Sequence, residues 1–218
     1  MPAPSIPADA VVRVSRGNFD QSRFPEVEQM TRDTGNYLIP AIRQLDGLIG
    51  YYAGASPSGS IVHVSLWQSN EHADQMGRLK EMIIDARRAS EAAGVSFVPI
   101  INYPIAWKTS TATETGERAV IRVARTDWEP AHFDQATEIN QRTSEYLIPA
   151  IERLDGLIAF YAGVSPTGSL MNASIWQTTA NAQQMDSLKE MIVDARNEFS
   201  AIDPTFNPIV NYPIAWSI

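Results

Sequence analysis

An α+β fold built from two equal β-α-β-β-α-β units is what this chain predicts, and three observations predict it. The sequence repeats itself: Tyr37-Leu38-Ile39-Pro40-Ala41-Ile42 returns 109 residues later as Tyr146-Leu147-Ile148-Pro149-Ala150-Ile151, and the offset holds without a gap to the end of the chain. Within each copy the hydrophobic period switches between two and 3.6 in the same order, strand to helix and back. Two copies of domain size are too few and too long for a solenoid, which stacks many short repeats. They read instead as a fused dimer, two equal units facing across a pseudo-two-fold axis.

The elements follow in order. Residues 10–16 alternate, with Val12 and Val14 on one side and Arg13 and Ser15 on the other, and predict a strand. Asp20 to about Leu45 predicts a helix, with Pro40 kinking it or restarting its last turn, and Asp46-Gly47 ending it. Leu48 to Ala55 and Ile61 to Gln68 are the two strands of a hairpin around Ser56-Pro57-Ser58-Gly59-Ser60. Ser69 or Asn70 caps a second helix that runs to about Ala93. Its apolar stripe is Met76, Leu79, Ile83, Ala86 and Ser90. Val98 to Trp107 is a last extended segment whose Pro99 and Pro104 place it at an edge or at a bulge. The expected division is an N-terminal arm over 1–9, a first repeat over 10–107, a polar linker over 108–118 and a second repeat over 119–218. This element order is the ferredoxin-like split unit. An antiparallel sheet with helices on one face leaves its other face bare. That face is too apolar to be solvated, so packing the two sheets against each other should close a barrel within one polypeptide.

Composition limits the chemistry. The chain has 218 residues, 44% of them hydrophobic, so each half is long enough for its own core. The net charge is −8 and no basic stripe is present, which argues against a nucleic-acid partner. There is no cysteine, so disulfides, thiolate metal sites and cysteine nucleophiles are excluded. The three histidines, His63, His72 and His132, lack the helical spacing of a zinc site. No apolar run is long enough to span a bilayer, no signal peptide is evident, and no Gly-x-Gly-x-x-Gly or phosphate loop is present. The expectation is a cytoplasmic protein without metal, cofactor or membrane partner. It should be a monomeric pseudo-dimer, with a further homodimer of fused units left open.

Strand period then selects candidate site residues. The wholly apolar face of the third strand, Val62, Val64 and Leu66, is assigned to the helices. Ile61, His63, Ser65 and Trp67 are thereby assigned to the barrel interior, as are Leu170, Asn172, Ser174 and Trp176 in the second copy. Arg13 and Arg122 join that inner face, either to bind an anionic or phenolate ligand or to pair with a carboxylate. Tyr52 and Tyr161, each flanked by small residues, either line a cavity or plug it. Arg87 and Arg196 border the buried stripe of the second helix. The counterpart of His63 in the second copy is Asn172, so the two halves can differ in role.

Each half resembles the antibiotic-biosynthesis-monooxygenase-like family of dimeric α+β barrels. The residues that carry the likeness are the helix–Leu45-Asp46-Gly47-Leu48–strand junction and the strand ending Trp67-Gln68-Ser69-Asn70-Glu71-His72-Ala73. Its second copy is Trp176-Gln177-Thr178-Thr179-Ala180-Asn181-Ala182. The resemblance implies a cofactor-independent monooxygenase acting on a small aromatic or polyphenolic molecule in a pocket between sheet and helices. A non-oxidative cyclase or isomerase, or a non-catalytic small-molecule-binding barrel, are the alternatives. Quinone-forming members use an Asn and a Trp four apart on this strand and an Arg from the next helix. Asn172, Trp176 and Arg196 match, as do Trp67 and Arg87 with His63 in place of the Asn. The family's Tyr position is Ala73 and Ala182 here, so that proton relay is missing from both halves. The helix His and Trp of haem-binding relatives have no counterpart.

Overall fold

The computed structural model describes residues 6–111 and 115–218. Residues 1–5 of the expected arm and 112–114 of the expected linker lie outside the described residues. The chain forms two compact units, and their boundaries are not those of the sequence repeats. One unit combines the described residues up to Asn102 with Tyr212–Ile218, and the other is Tyr103–Asn211.

The unit that holds His63 contains β1 (Val11–Asn18), α1 (Phe24–Ile42), β2 (Leu48–Ser56), β3 (Ser60–Trp67), a short α2 (Asn70–Asp74), α3 (Lys80–Ala92) and a two-residue β4 (Ser96–Phe97). Most of β5 (Ile101–Ser110) belongs to the other unit, which continues with β6 (Val120–Asp127), α4 (Phe133–Ile151), β7 (Leu157–Ser165), β8 (Ser169–Trp176), α5 (Thr179–Gln183), α6 (Lys189–Phe199) and β9 (Thr205–Phe206). Most of β10 (Val210–Ser217) returns to the first. The sheets are antiparallel, in the order β10-β2-β3-β1-β4 and β5-β7-β8-β6-β9.

Each unit is thus an α+β, ferredoxin-like assembly, as expected, but its edge strand comes from the other sequence repeat. The hexapeptide Asn-Tyr-Pro-Ile-Ala-Trp occurs identically at 102–107 and 211–216, so the two edge strands carry the same packing information. Nothing local in the sequence says which β2-type strand each should join. The linker also begins later than expected. Lys108, Thr109 and Ser110 pair with Tyr161, Phe160 and Ala159, which makes them strand. The bulge expected from the prolines falls just after Pro104 and Pro213, where the register shifts between Ile105 and Trp107 and between Ile214 and Trp216.

Helix ends follow their local chemistry. The Ser69 side chain accepts from the His72 amide at the start of α2. Gly47 and Gly156, at φ 72° and 74°, take the left-handed turns that lead into β2 and β7. The second helical segment of each repeat is not continuous, because a 3₁₀ stretch, Gln75–Leu79 or Gln184–Leu188, precedes α3 or α6. No helix among the described residues is long and apolar enough to cross a membrane.

The helices cover the face of the sheet opposite to the one assigned from sequence. Trp67 packs with Leu38, Ile42, Ala73 and Met76, on the helix side, and Trp176 packs with Ile148, Ile151 and Ala182. Val62, Val64 and Leu66 point the other way and are also fully buried. Period two fixed which residues travel together. It could not fix the side, because both faces of the sheet are buried and apolar content no longer discriminates between them.

Candidate functional site

Each unit has a cavity between its sheet and its helices, and the two differ in size and chemistry. The cavity of the His63 unit has a volume of about 570 Å³, in the range of small-molecule sites. The cavity of the Tyr103–Asn211 unit is about 130 Å³.

The larger site is assembled by cross-strand registration. Arg13 on β1 and Tyr51 on β2 both stand opposite Ser65 on β3, which sets the three in one row across the sheet. One row along, His63 stands between Ser15 and Ala53. Arg13, Tyr51, His63 and Ser65 all line the cavity, and α1 and α3 roof it with Met30, Thr34, Leu38, Ile83 and Arg87. The Tyr51 hydroxyl and His63 Nδ1 are 3.2 Å apart and share a hydrogen bond. Behind them, the Trp216 ring stacks on Tyr51 with centroids 4.9 Å apart and meets His63 edge-on at 5.9 Å. The Trp216 indole donates to the Thr31 carbonyl at 2.9 Å, which holds it against α1. Gly35 makes that approach possible, since a Cβ there would lie 2.7 Å from the Trp216 ring.

These surroundings set the charge states. Burial among aromatic and aliphatic atoms pushes the His63 pKa down to about 4, so its imidazole is neutral at pH 7. Burial raises the Tyr51 phenol well above its usual range, an effect that nearby Arg13 partly offsets. Arg13 donates to Asn102 Oδ1 at 3.1 Å, and Asn102 in turn donates to Asn70 Oδ1 at 3.2 Å. Among the described residues, no carboxylate lies within ion-pair distance of Arg13.

The smaller cavity has the same skeleton with other chemistry. Phe160 replaces Tyr51 and Asn172 replaces His63, beside Arg122 and Ser174. Asn140, only 4% exposed, takes the position of Thr31 and lines this cavity. Arg122 has a carboxylate, Asp186, at 3.8 Å. Arg196 lies at the wall with its guanidinium 5.2 Å from the centre of the Phe206 ring.

The residues selected from sequence therefore divide. His63, Arg13 and Arg87 line the larger cavity, and Asn172, Arg122 and Arg196 line the smaller. Arg87 is 63% exposed and paired with Glu91, at the rim. Trp67 and Trp176 line neither cavity. They are fully buried, and their indoles donate within the sheet to Ser65 and Ser174 at 2.9 and 2.8 Å. Their N–H groups are thus occupied. Tyr52 and Tyr161 line neither cavity, because the row facing the helices runs through their neighbours Tyr51 and Phe160. Tyr51 and Trp216 were the residues that sequence reasoning missed. Tyr51 had a signal in the asymmetry between the copies, Tyr51 against Phe160, beside His63 against Asn172 and Gly35 against Ser144; Trp216 had none, since Trp107 repeats it.

No family model matches the chain, and no curated relative matches it. Solved structures do. A protein from Fusobacterium nucleatum provisionally described as a monooxygenase superimposes with a TM-score of 0.67 at 10% identity, covering 96% of this chain and 94% of that one. An anthrone oxidase-like protein superimposes at 0.64 with 13% identity, covering 100% and 95%. A protein from Lactobacillus acidophilus, also provisionally described as a monooxygenase, gives 0.60 at 8% identity, covering 96% and 95%. At such low identity the likeness speaks for architecture, while chemistry must be read from the site. This chain has the fold of the antibiotic-biosynthesis-monooxygenase-like, dimeric α+β-barrel proteins.

Proposed function

We propose that the cavity of the His63 unit is the active site of a cofactor-independent monooxygenase that oxidises a small aromatic or phenolic molecule. The observation that carries this reading is the convergence of Arg13, His63 and Tyr51 on one wall of a ligand-sized cavity. A flat substrate lies between the sheet and α1 and α3, with its acidic oxygen toward Arg13. The guanidinium stabilises the substrate anion as it forms. Neutral His63 takes the proton, and the imidazolium so created is compensated by the anion beside it. Tyr51 holds the imidazole in place through its hydrogen bond. The electron-rich anion then reacts with dioxygen. For a methylene between aromatic rings, the carbon loses two hydrogens and gains one oxygen atom, and the second oxygen leaves as water. The apolar roof of Leu38 and Ile83 keeps bulk water from the anion. That the structural neighbours include proteins described as monooxygenases and as anthrone oxidase-like supports the reading.

The test is oxygen uptake with a panel of polyphenols and anthrone-type substrates. We expect one dioxygen consumed per substrate, and His63→Asn, which copies the second repeat, should slow turnover about 100-fold or more. Equal rates in the variant would remove His63 from the chemistry. The His63–Tyr51 pair also suits a non-oxidative isomerase or cyclase, which needs only proton transfer. Substrate loss without oxygen uptake would identify that reading instead.

A further inference from the structure

We propose that the larger cavity selects ligands bearing an anionic group, a carboxylate on an aromatic or aliphatic ring system, and that Gly77 is the residue that makes it do so. Each cavity contains the strand arginine of its repeat, Arg13 or Arg122, held by an equivalent asparagine, Asn102 or Asn211. They differ in the counter-charge. Asp186 lies 3.8 Å from the Arg122 guanidinium. The residue 109 positions earlier is Gly77, which lines the cavity beside Arg13 and brings no side chain at all. A second such difference lies three residues further along the strand, outside the larger cavity. Arg125 pairs with Asp127 at 2.6 Å, whereas the residue matching Asp127 in the first repeat is Asn18.

The cavity arginine of the second repeat thus has a carboxylate of the chain beside it, and that of the first has a glycine at the matching position. A guanidinium on a cavity wall without a carboxylate partner must be hydrated or meet an anion from outside. A planar carboxylate fits its donor fork in a way that an amide or ether does not. His63 is neutral and does not compete for the anion. Arg87 and Glu91 cancel each other at the rim, and Arg196 stands exposed at the other cavity, where salt screens it. This inference concerns binding alone and holds whether or not the cavity oxidises what it binds.

Gly77→Asp restores the counter-charge of the second repeat. A Cβ at position 77 meets no atom within 4 Å, so the variant has room to fold. The experiment is calorimetric titration of the full chain with naphthalene-2-carboxylate and with its neutral amide. We expect the acid to bind the wild type at least tenfold more tightly than the amide. Gly77→Asp should remove that preference, weakening the acid at least tenfold and leaving the amide within twofold, and Arg13→Gln should do the same. Equal affinity for acid and amide, an unchanged acid affinity in Gly77→Asp, or no acid binding at millimolar concentration would each overturn the proposal. Tight acid binding together with no oxygen uptake across the polyphenol and anthrone panel would sink the monooxygenase reading and leave this one standing.

Discussion

His63 carries the most information of any single side chain. Its pKa of about 4 lies below the value near 6.5 that it has in an unfolded chain, because burial penalises the imidazolium. The unfolded state therefore binds the proton first. His63 contributes its full share of stability above about pH 6.5, and that share is lost as pH falls toward about 4. A His63→Asn variant should show a flatter dependence of unfolding free energy on pH between those limits. An imidazole resonance titrating near pH 4 in the wild type, and absent from the variant, would confirm the cause; a midpoint near 6.5 would contradict it. Ser65 has a quieter role. It accepts the Trp67 indole at 2.9 Å inside a fully buried core. Ser65→Ala orphans that donor and should cost about 1–3 kcal/mol in urea unfolding. A cost near zero would mean that the indole finds another acceptor.

At the scale of elements, the contact between α1 and β10 shapes the larger cavity. Gly35 lets the Trp216 ring lie against the helix, and Trp216 then stacks on Tyr51 and backs His63. The second repeat has Ser144 at the matching position, so the close approach is encoded in one half only. Gly35→Ser should displace Trp216, destabilise the chain by about 1–3 kcal/mol through overpacking and weaken ligand binding in the larger cavity. Near-UV circular dichroism reports the loss of the stacked ring, and an unchanged spectrum would count against this role. The helices, the hairpins and the bulge were legible beforehand, because apolar spacing, Gly-rich turns and strand prolines are local signals. The face of β3 that meets the helices was not, because Val62, Val64 and Leu66 are as buried as Trp67. A period of two assigns residues to two sets without saying which set lies inward.

At the scale of the whole chain, each unit takes one strand from the other sequence repeat, since β10 completes the sheet of the His63 unit and β5 that of the other. Because Asn102–Trp107 and Asn211–Trp216 are identical in sequence, a fragment of residues 1–111 carries a strand able to replace the one it lacks. It should therefore fold only as a homodimer in which each copy lends the other its β5. A folded, monomeric fragment in light scattering would show that the exchange is dispensable.

The duplication, the order of elements and the candidate arginines and histidine were determined by the sequence itself. They rest on local propensity and on repeats that can be counted along the chain. The exchange of the edge strands, the pairing of Tyr51 with His63 and the missing counter-charge at Arg13 were decided only in three dimensions. Each depends on which residue of a distant segment comes to lie opposite, and identical hexapeptides and doubly buried strands leave that choice to tertiary packing.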